Sequence, residues 1–203
     1  MSKLMEVLHQ KNEEDIKKIL DIAKQYDAAV NLDTYMYPAS RERNKPFDEQ
    51  SRMNPKDAAM AKVLIYKYQM GDIAFEEYRR AIINTIEQYI PENYGYERHI
   101  SCLAGNCSFT INWQGMIRPC VMQSMPQVNV FDKGFLQGWE TISNETKKIL
   151  INEACVSCRY RPICNTCAAA ALLETGNYDG IPEYICEYTK EFYRIMKEGA
   201  RIC

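Results

Sequence analysis

The stretch CVSCRYRPICNTC, residues 155–167, sets the character of the chain. It contains two C-x2-C pairs, Cys155/Cys158 and Cys164/Cys167, with the loop-forming Arg161-Pro162 between them. A C-x2-C pair lets two thiolates turn toward one centre while the intervening amides donate to sulfur. Cysteines that merely fill a core as small apolar residues have no reason to fall into such pairs. Upstream lie Cys102, Cys107 and Cys120, at spacings x4 and x12, and downstream Cys186. These eight suffice for two four-thiolate sites without any histidine, and nothing marks Cys203 as a ligand. On spacing alone, zinc and iron-sulfur clusters are equally satisfied by this set.

The rest of the composition is ordinary. Of 203 residues, 46% are hydrophobic and 26% charged, the balance of a soluble globular protein. A net charge of -2 and the lack of any basic run argue against a nucleic-acid surface. No apolar run is long enough to span a bilayer, and MSKLMEVLHQKNEEDIKK has neither the apolar stretch nor the cleavage site of a secretory signal. A cytoplasmic location is therefore expected. There, nine cysteines point to metal or redox chemistry before disulfides.

Periodicity places an amphipathic helix over about Asn12 to Gln25, followed by a buried strand in AAVNLDTYMYP that ends at Pro38. A helix leading into a buried strand belongs to an α/β layer. A polar loop is expected from Ala39 to Met53. Asn54-Pro55-Lys56-Asp57 then supplies a cap, a proline at the first helical position and an acid in the first turn of a helix running to about Tyr68. Gly71-Asp72 separates it from a second helix with Phe75, Tyr78, Ala81, Ile82 and Ile86 on its inner stripe, giving a helical hairpin. Further on, FTINWQGMIRPCV predicts two short strands around a turn at Gly115. GFLQGWETISNETKKILIN predicts an interrupted helix, and Glu183 to Lys197 a closing amphipathic one. The fold class is α+β, divided at 1–40, 41–98 and 99–203.

The runs CLAGNCSFTINWQGMIRPC and CVSCRYRPICNTC, with the last cysteine of EYIC, resemble the SPASM extension of radical S-adenosylmethionine enzymes. In that family a cysteine, a glycine and a second cysteine precede a block of four cysteines and one final cysteine. Cys102, Gly115, Cys120, Cys155, Cys158, Cys164, Cys167 and Cys186 follow this order, which covers the C-terminal half. The resemblance implies two auxiliary 4Fe-4S clusters around a β-hairpin and short helices. Cys155, Cys158, Cys164 and Cys186 would hold the outer cluster. Cys102, Cys120 and Cys167 would hold the inner, with Cys107 near the place of a fourth ligand in sulfatase-maturing members. The last spacing of the block is one residue shorter here, a rotation of about 100° were it helical. Val121 stands where the sulfatase-maturing branch carries aspartate, which argues against that activity.

The C-x3-C-x2-C motif at which the family cleaves S-adenosylmethionine is missing, and no cysteine precedes Cys102. Residues 1–40 look like the final helix and strand of the family's partial α/β barrel, residues 41–98 like a linker and hairpin. The chain is thus expected to be the C-terminal portion of a larger peptide- or protein-modifying maturase. It would relay electrons or position substrate, and S-adenosylmethionine would enter only with a barrel supplied elsewhere. The expected partners are that barrel and a peptide substrate, met near Gly115 and Arg118, with neither nucleic acid nor membrane. Arg118 itself, His9 and His99 read as surface residues, and Tyr160 and Tyr184 as packing around the clusters. Two alternatives stand beside this: a zinc-stabilised peptide-binding or bridging module without redox role, and an inactive remnant.

Overall fold

The computed structural model describes residues 3–9, 12–35, 52–93, 95, 97–100 and 102–199. Most of the loop expected from 39 to 53, the residues ending the strand at Pro38, and Cys203 lie outside them. Strand β1 (Lys3–Val7) pairs in parallel with β2 (Ala29–Asp33), in register Lys3 with Ala29 through Val7 with Asp33, across helix α1 (Ile16–Gln25). Just past the end of α1, Asp27 with its φ of 48° lets the Ala28 amide close back on the Ala23 carbonyl at 2.9 Å. The sequence shows no clear strand at β1, because five residues carrying Lys3 and Glu6 hold too little pattern.

The expectation that β2 is buried requires correction. Leu32 is buried, but its neighbours Asn31 and Asp33 are exposed. This is the alternation of a sheet covered on one face only. Leu32 packs with Leu8, Ile16, Leu20, Ala58, Ala61 and Ile65.

Helix α2 (Pro55–Glu87) opens as its sequence dictates, with the Asn54 side chain accepting from the Asp57 amide at 3.0 Å and Pro55 at the first helical position. At Gly71 the backbone leaves helical geometry (φ 76°, ψ 167°). The rings of Tyr66 and Tyr78 lie 5.3 Å apart, where a straight helix would separate these positions by about 18 Å. The two arms therefore fold back on each other as a hairpin. Helix α7 (Glu183–Glu198) lies along both arms, with Phe192, Ile195 and Met196 packed against Ala59, Val63 and Phe75. The first arm thus has two buried faces, Ala58 and Ala61 toward the β1–α1–β2 unit and Ala59 and Val63 toward α7.

In the C-terminal half the expected hairpin is present and acquires a third strand. β3 (Thr110–Ile111), β4 (Met116–Arg118) and β5 (Val128–Asn129) form an antiparallel sheet in that order. Gly115 turns between β3 and β4 with φ +75°. After the short helix α3 (Val130–Lys133), α4 (Phe135–Lys147) runs without interruption and sets Ile142 in the interior; Ile117 of β4 is likewise fully buried. Two further helices, α5 (Glu153–Val156) and α6 (Ala168–Thr175), flank the C-x2-C pairs. Among the described residues no helix is long and apolar enough to cross a membrane.

Met196 is completely enclosed between α7 and α2. Met196→Ala is expected to cost about 2–5 kcal/mol in a urea melt. Ile73→Ala, at the exposed hairpin elbow, is expected to stay within about 0.5 kcal/mol.

Candidate metal centres

Cys155 lies in α5, which Asn152 caps by accepting from the Ala154 amide at 2.9 Å. The chain then turns so that the Arg161 amide donates to the Cys158 carbonyl at 2.9 Å and the Cys164 amide to the Arg161 carbonyl at 3.3 Å. Arg161–Ile163 is a single 3-10 turn with Pro162 inside it. Cys158 and Cys164 are thereby brought round to the same side. Cys186 arrives from the first turn of α7, on the face that also carries Thr189 and Lys190.

These four cysteines line one cavity of about 50 Å3, together with Tyr160, Arg161, Thr166, Thr189 and Lys190. Its volume exceeds the roughly 10–15 Å3 that one water needs. Burial pushes the Cys155 thiol above its ordinary pKa, Cys164 and Cys158 add to this, and the Arg161 guanidinium opposes it. Cys186 is pushed up to about 11, by burial first, then by Cys164 and Cys155, against the pull of Lys190. The Thr166 hydroxyl donates to the Cys164 sulfur at 3.5 Å. Tyr160 closes one wall, its ring edge-on to Tyr193 of α7 at 5.7 Å.

A second group forms around Cys120, just after β4. Burial raises its pKa; the Met122 and Gln123 amides donate to its sulfur and lower it, and the charges of Cys167 and Cys102 act upon it. Cys167 stands in extended conformation at the start of α6 (φ -122°, ψ 116°). The helical rotation expected from the shortened spacing therefore does not arise, and Cys167 joins the surroundings of Cys120. Cys102 and Cys107 flank a tight turn in which the Leu103 carbonyl accepts from the amides of Asn106, Cys107 and Ser108, each at 3.0 Å. Cys107 is exposed and is not among the groups whose charge acts on Cys120.

Four cysteines around one cavity are a donor set that thiolate-bound metals accept, whether a single ion or a cluster. A tetrahedral zinc draws its thiolates to about 2.3 Å. Among the described residues no group of three or more His, Cys, Asp or Glu is close enough to grip one ion. The amides directed at Cys120 supply the N–H groups that a thiolate bound to metal accepts from.

Three expectations about neighbouring residues change. Tyr184 does not line the cysteine cavity; its ring meets Tyr35 edge-on at 5.3 Å, lies under Arg52 at 4.0 Å, and its hydroxyl donates to the Met53 carbonyl at 2.9 Å. Arg118 is half-buried rather than solvated, and its Nε is enclosed without a hydrogen-bond partner among the described residues. Arg161, which the sequence shows only as a loop former, is 6% exposed inside the cavity. Its signal in the sequence was its place between two cysteines. His99 is exposed, its ring Nδ1 3.0 Å from the Lys147 carbonyl, and His9 bonds through its amide to Asn12.

No protein-family model and no curated protein matches the chain. One solved structure, that of hexahistidine-tagged anSMEcpe with bound AdoMet, superposes with a TM-score of 0.63 at 17% sequence identity. The match takes in 97% of this chain and 52% of that one, so the chain spans about half the length of its structural neighbour. What is shared is the fold.

Two outcomes are expected for the metal-free protein. A thiol raised to about 11 in the folded chain binds its proton more tightly there than in the unfolded chain, where its value is about 8.5. Its stabilising contribution is complete below about pH 8.5 and declines as pH rises toward 11. Urea midpoints, measured under reducing conditions without oxygen, should fall over this range, and Cys186→Ser should flatten that fall. Separately, a Cβ at Gly105 (φ +67°) would lie 2.5 Å from the buried Thr146 hydroxyl. Gly105→Ala should therefore cost about 1–3 kcal/mol and distort the turn that carries Cys102 and Cys107.

Proposed function

We propose that this chain is the auxiliary-cluster portion of a radical S-adenosylmethionine enzyme that modifies a peptide or protein. Cys155, Cys158, Cys164 and Cys186 would hold one 4Fe-4S cluster. Cys102, Cys120 and Cys167 would hold the other, with Cys107 available to close its fourth position. The observation that carries this is the convergence of four cysteines from two separate segments, residues 155–164 and the first turn of α7, on one cavity with a buried arginine in its wall. The fold shared with a protein that binds AdoMet supports the class of enzyme.

When bound, such clusters accept or pass single electrons. The chain's own residues prepare for this. The Met122 and Gln123 amides and the Thr166 hydroxyl direct N–H and O–H groups at sulfur. Tyr160 limits the access of water to the four-cysteine cavity. Val121, beside Cys120 and half exposed, places an apolar group where a carboxylate would be needed for the chemistry of the sulfatase-maturing branch.

The partner is the remainder of a barrel, on another chain or in a longer form of this one. β1 and β2 form a two-stranded parallel sheet, and parallel sheets are stable when extended and covered on both faces. S-adenosylmethionine would bind to that barrel. The peptide substrate would meet the strand pair β3–β4, near Gly115 and Arg118.

Purification without oxygen followed by reconstitution with iron and sulfide should give about eight irons and eight sulfides per chain, with absorbance near 400 nm that dithionite bleaches. Cys186→Ser should remove about half of the iron. Stoichiometric zinc without sulfide would overturn the assignment and leave a structural or peptide-binding module.

A further inference from the structure

We infer that the outer edge of β3 takes an extended peptide, laid antiparallel to it, whose glutamate is held by Arg118 and whose flanking apolar residues rest on Ile111 and Phe109. The inference rests on the peptide-modifying role proposed above and names the chemistry of the peptide and the residue that selects it.

The order β3-β4-β5 leaves β3 at the edge of its sheet. The Asn112 amide donates to the Met116 carbonyl at 3.2 Å, so this is a hydrogen-bonded pair and Thr110 with Arg118, two residues on, is another. The amide and carbonyl of Ile111 between them therefore point away from β4, where no strand of the described residues meets them. Proteins guard such edges with charges or proline, and residues 108–113, SFTINW, contain neither.

The two faces of this edge differ in chemistry. Ile117 is fully buried and turns toward Gly138 of α4, so its neighbour Arg118 and the paired Thr110 turn to the opposite face. Phe109 lies on the α4 side, its ring 5.3 Å from Phe135 and 5.7 Å from Trp139. Phe109, Ile111 and Phe135 are all exposed. An added strand thus meets an apolar, partly aromatic surface at alternate positions and a cation at the position between.

Arg118 makes no hydrogen bond or ion pair among the described residues. Its Nε is enclosed, while its terminal nitrogens are not. A guanidinium half withdrawn from water without an acceptor is costly, and its fork matches a carboxylate. A strand beside β3 lies two strand spacings from β4, about 9–10 Å. An arginine and a glutamate side chain together cross that gap over the small Thr110, whereas aspartate is one carbon shorter.

The test is fluorescence anisotropy of the dye-labelled peptide Ser-Val-Glu-Val-Ser, titrated with the reconstituted full chain, with iron and sulfide measured on the same samples. Binding should saturate, and glutamine in place of the glutamate should weaken it about ten- to a hundredfold. Arg118→Gln should erase that difference. N-methylation of the valine before the glutamate, which faces Ile111, should abolish binding, and N-methylation of the glutamate should leave it unchanged. Equal affinity for the two peptides, or indifference to methylation of that valine, would overturn the inference; both comparisons need only the wild type. Absence of saturable binding would also overturn it, in favour of a second copy if the chain sediments as a dimer and of another part of the enzyme if it is a monomer. Iron and sulfide uptake without peptide binding would leave the cluster assignment standing, whereas peptide binding without uptake would sink that assignment alone.

Discussion

The packing of α7 against the two arms of α2 is the contact on which the remaining architecture depends. One face of α7, with Phe192, Ile195 and Met196, fills the groove of the helical hairpin. Tyr188 reaches both buried clusters and hydrogen-bonds with Thr34 just past β2, tying the helix to the parallel strands. The adjoining face presents Cys186, Thr189 and Lys190 to the loop of residues 155–166. Helical periodicity makes these placements inseparable, because a rotation that moved the apolar stripe off α2 would also swing Cys186 away from its three companions.

The alanines of α2 make that packing possible. Ala58, Ala59 and Ala61 are almost wholly enclosed, and their small side chains let the first arm be covered from two sides at once. The C-terminal half is less densely filled. Its small sheet and α4 meet through Ile117 and Ile142, while Trp113, Phe131 and Leu136 remain exposed.

Much of this was legible in the sequence. The Asn54-Pro55-Lys56-Asp57 start, the break at Gly71, the turn at Gly115 and the closing helix each rest on local chemistry that the fold respects. The structure does bring Cys155, Cys158, Cys164 and Cys186 to one cavity. What escaped depends on partners distant in the chain. β1 becomes a strand only because β2 lies beside it, and β5 because β4 does. The burial of Arg161 needs both the 3-10 turn and the cavity behind it, and no window of sequence contains those. Tyr184 is near Cys186 in sequence yet points to Arg52 and Tyr35, since helical positions two apart face different sides.

The position of Cys186 also bears on biogenesis. Cys155, Cys158 and Cys164 belong to one continuous loop, whereas their fourth companion sits on a helix that must first dock on α2. Chains emerge from the ribosome at about 5–20 residues per second, so the loop is made some seconds before α7 and stands for that time as a three-thiol site. Docking of α7 on α2 therefore completes the four-cysteine cavity, and an apolar contact outside it governs when the four thiols first meet.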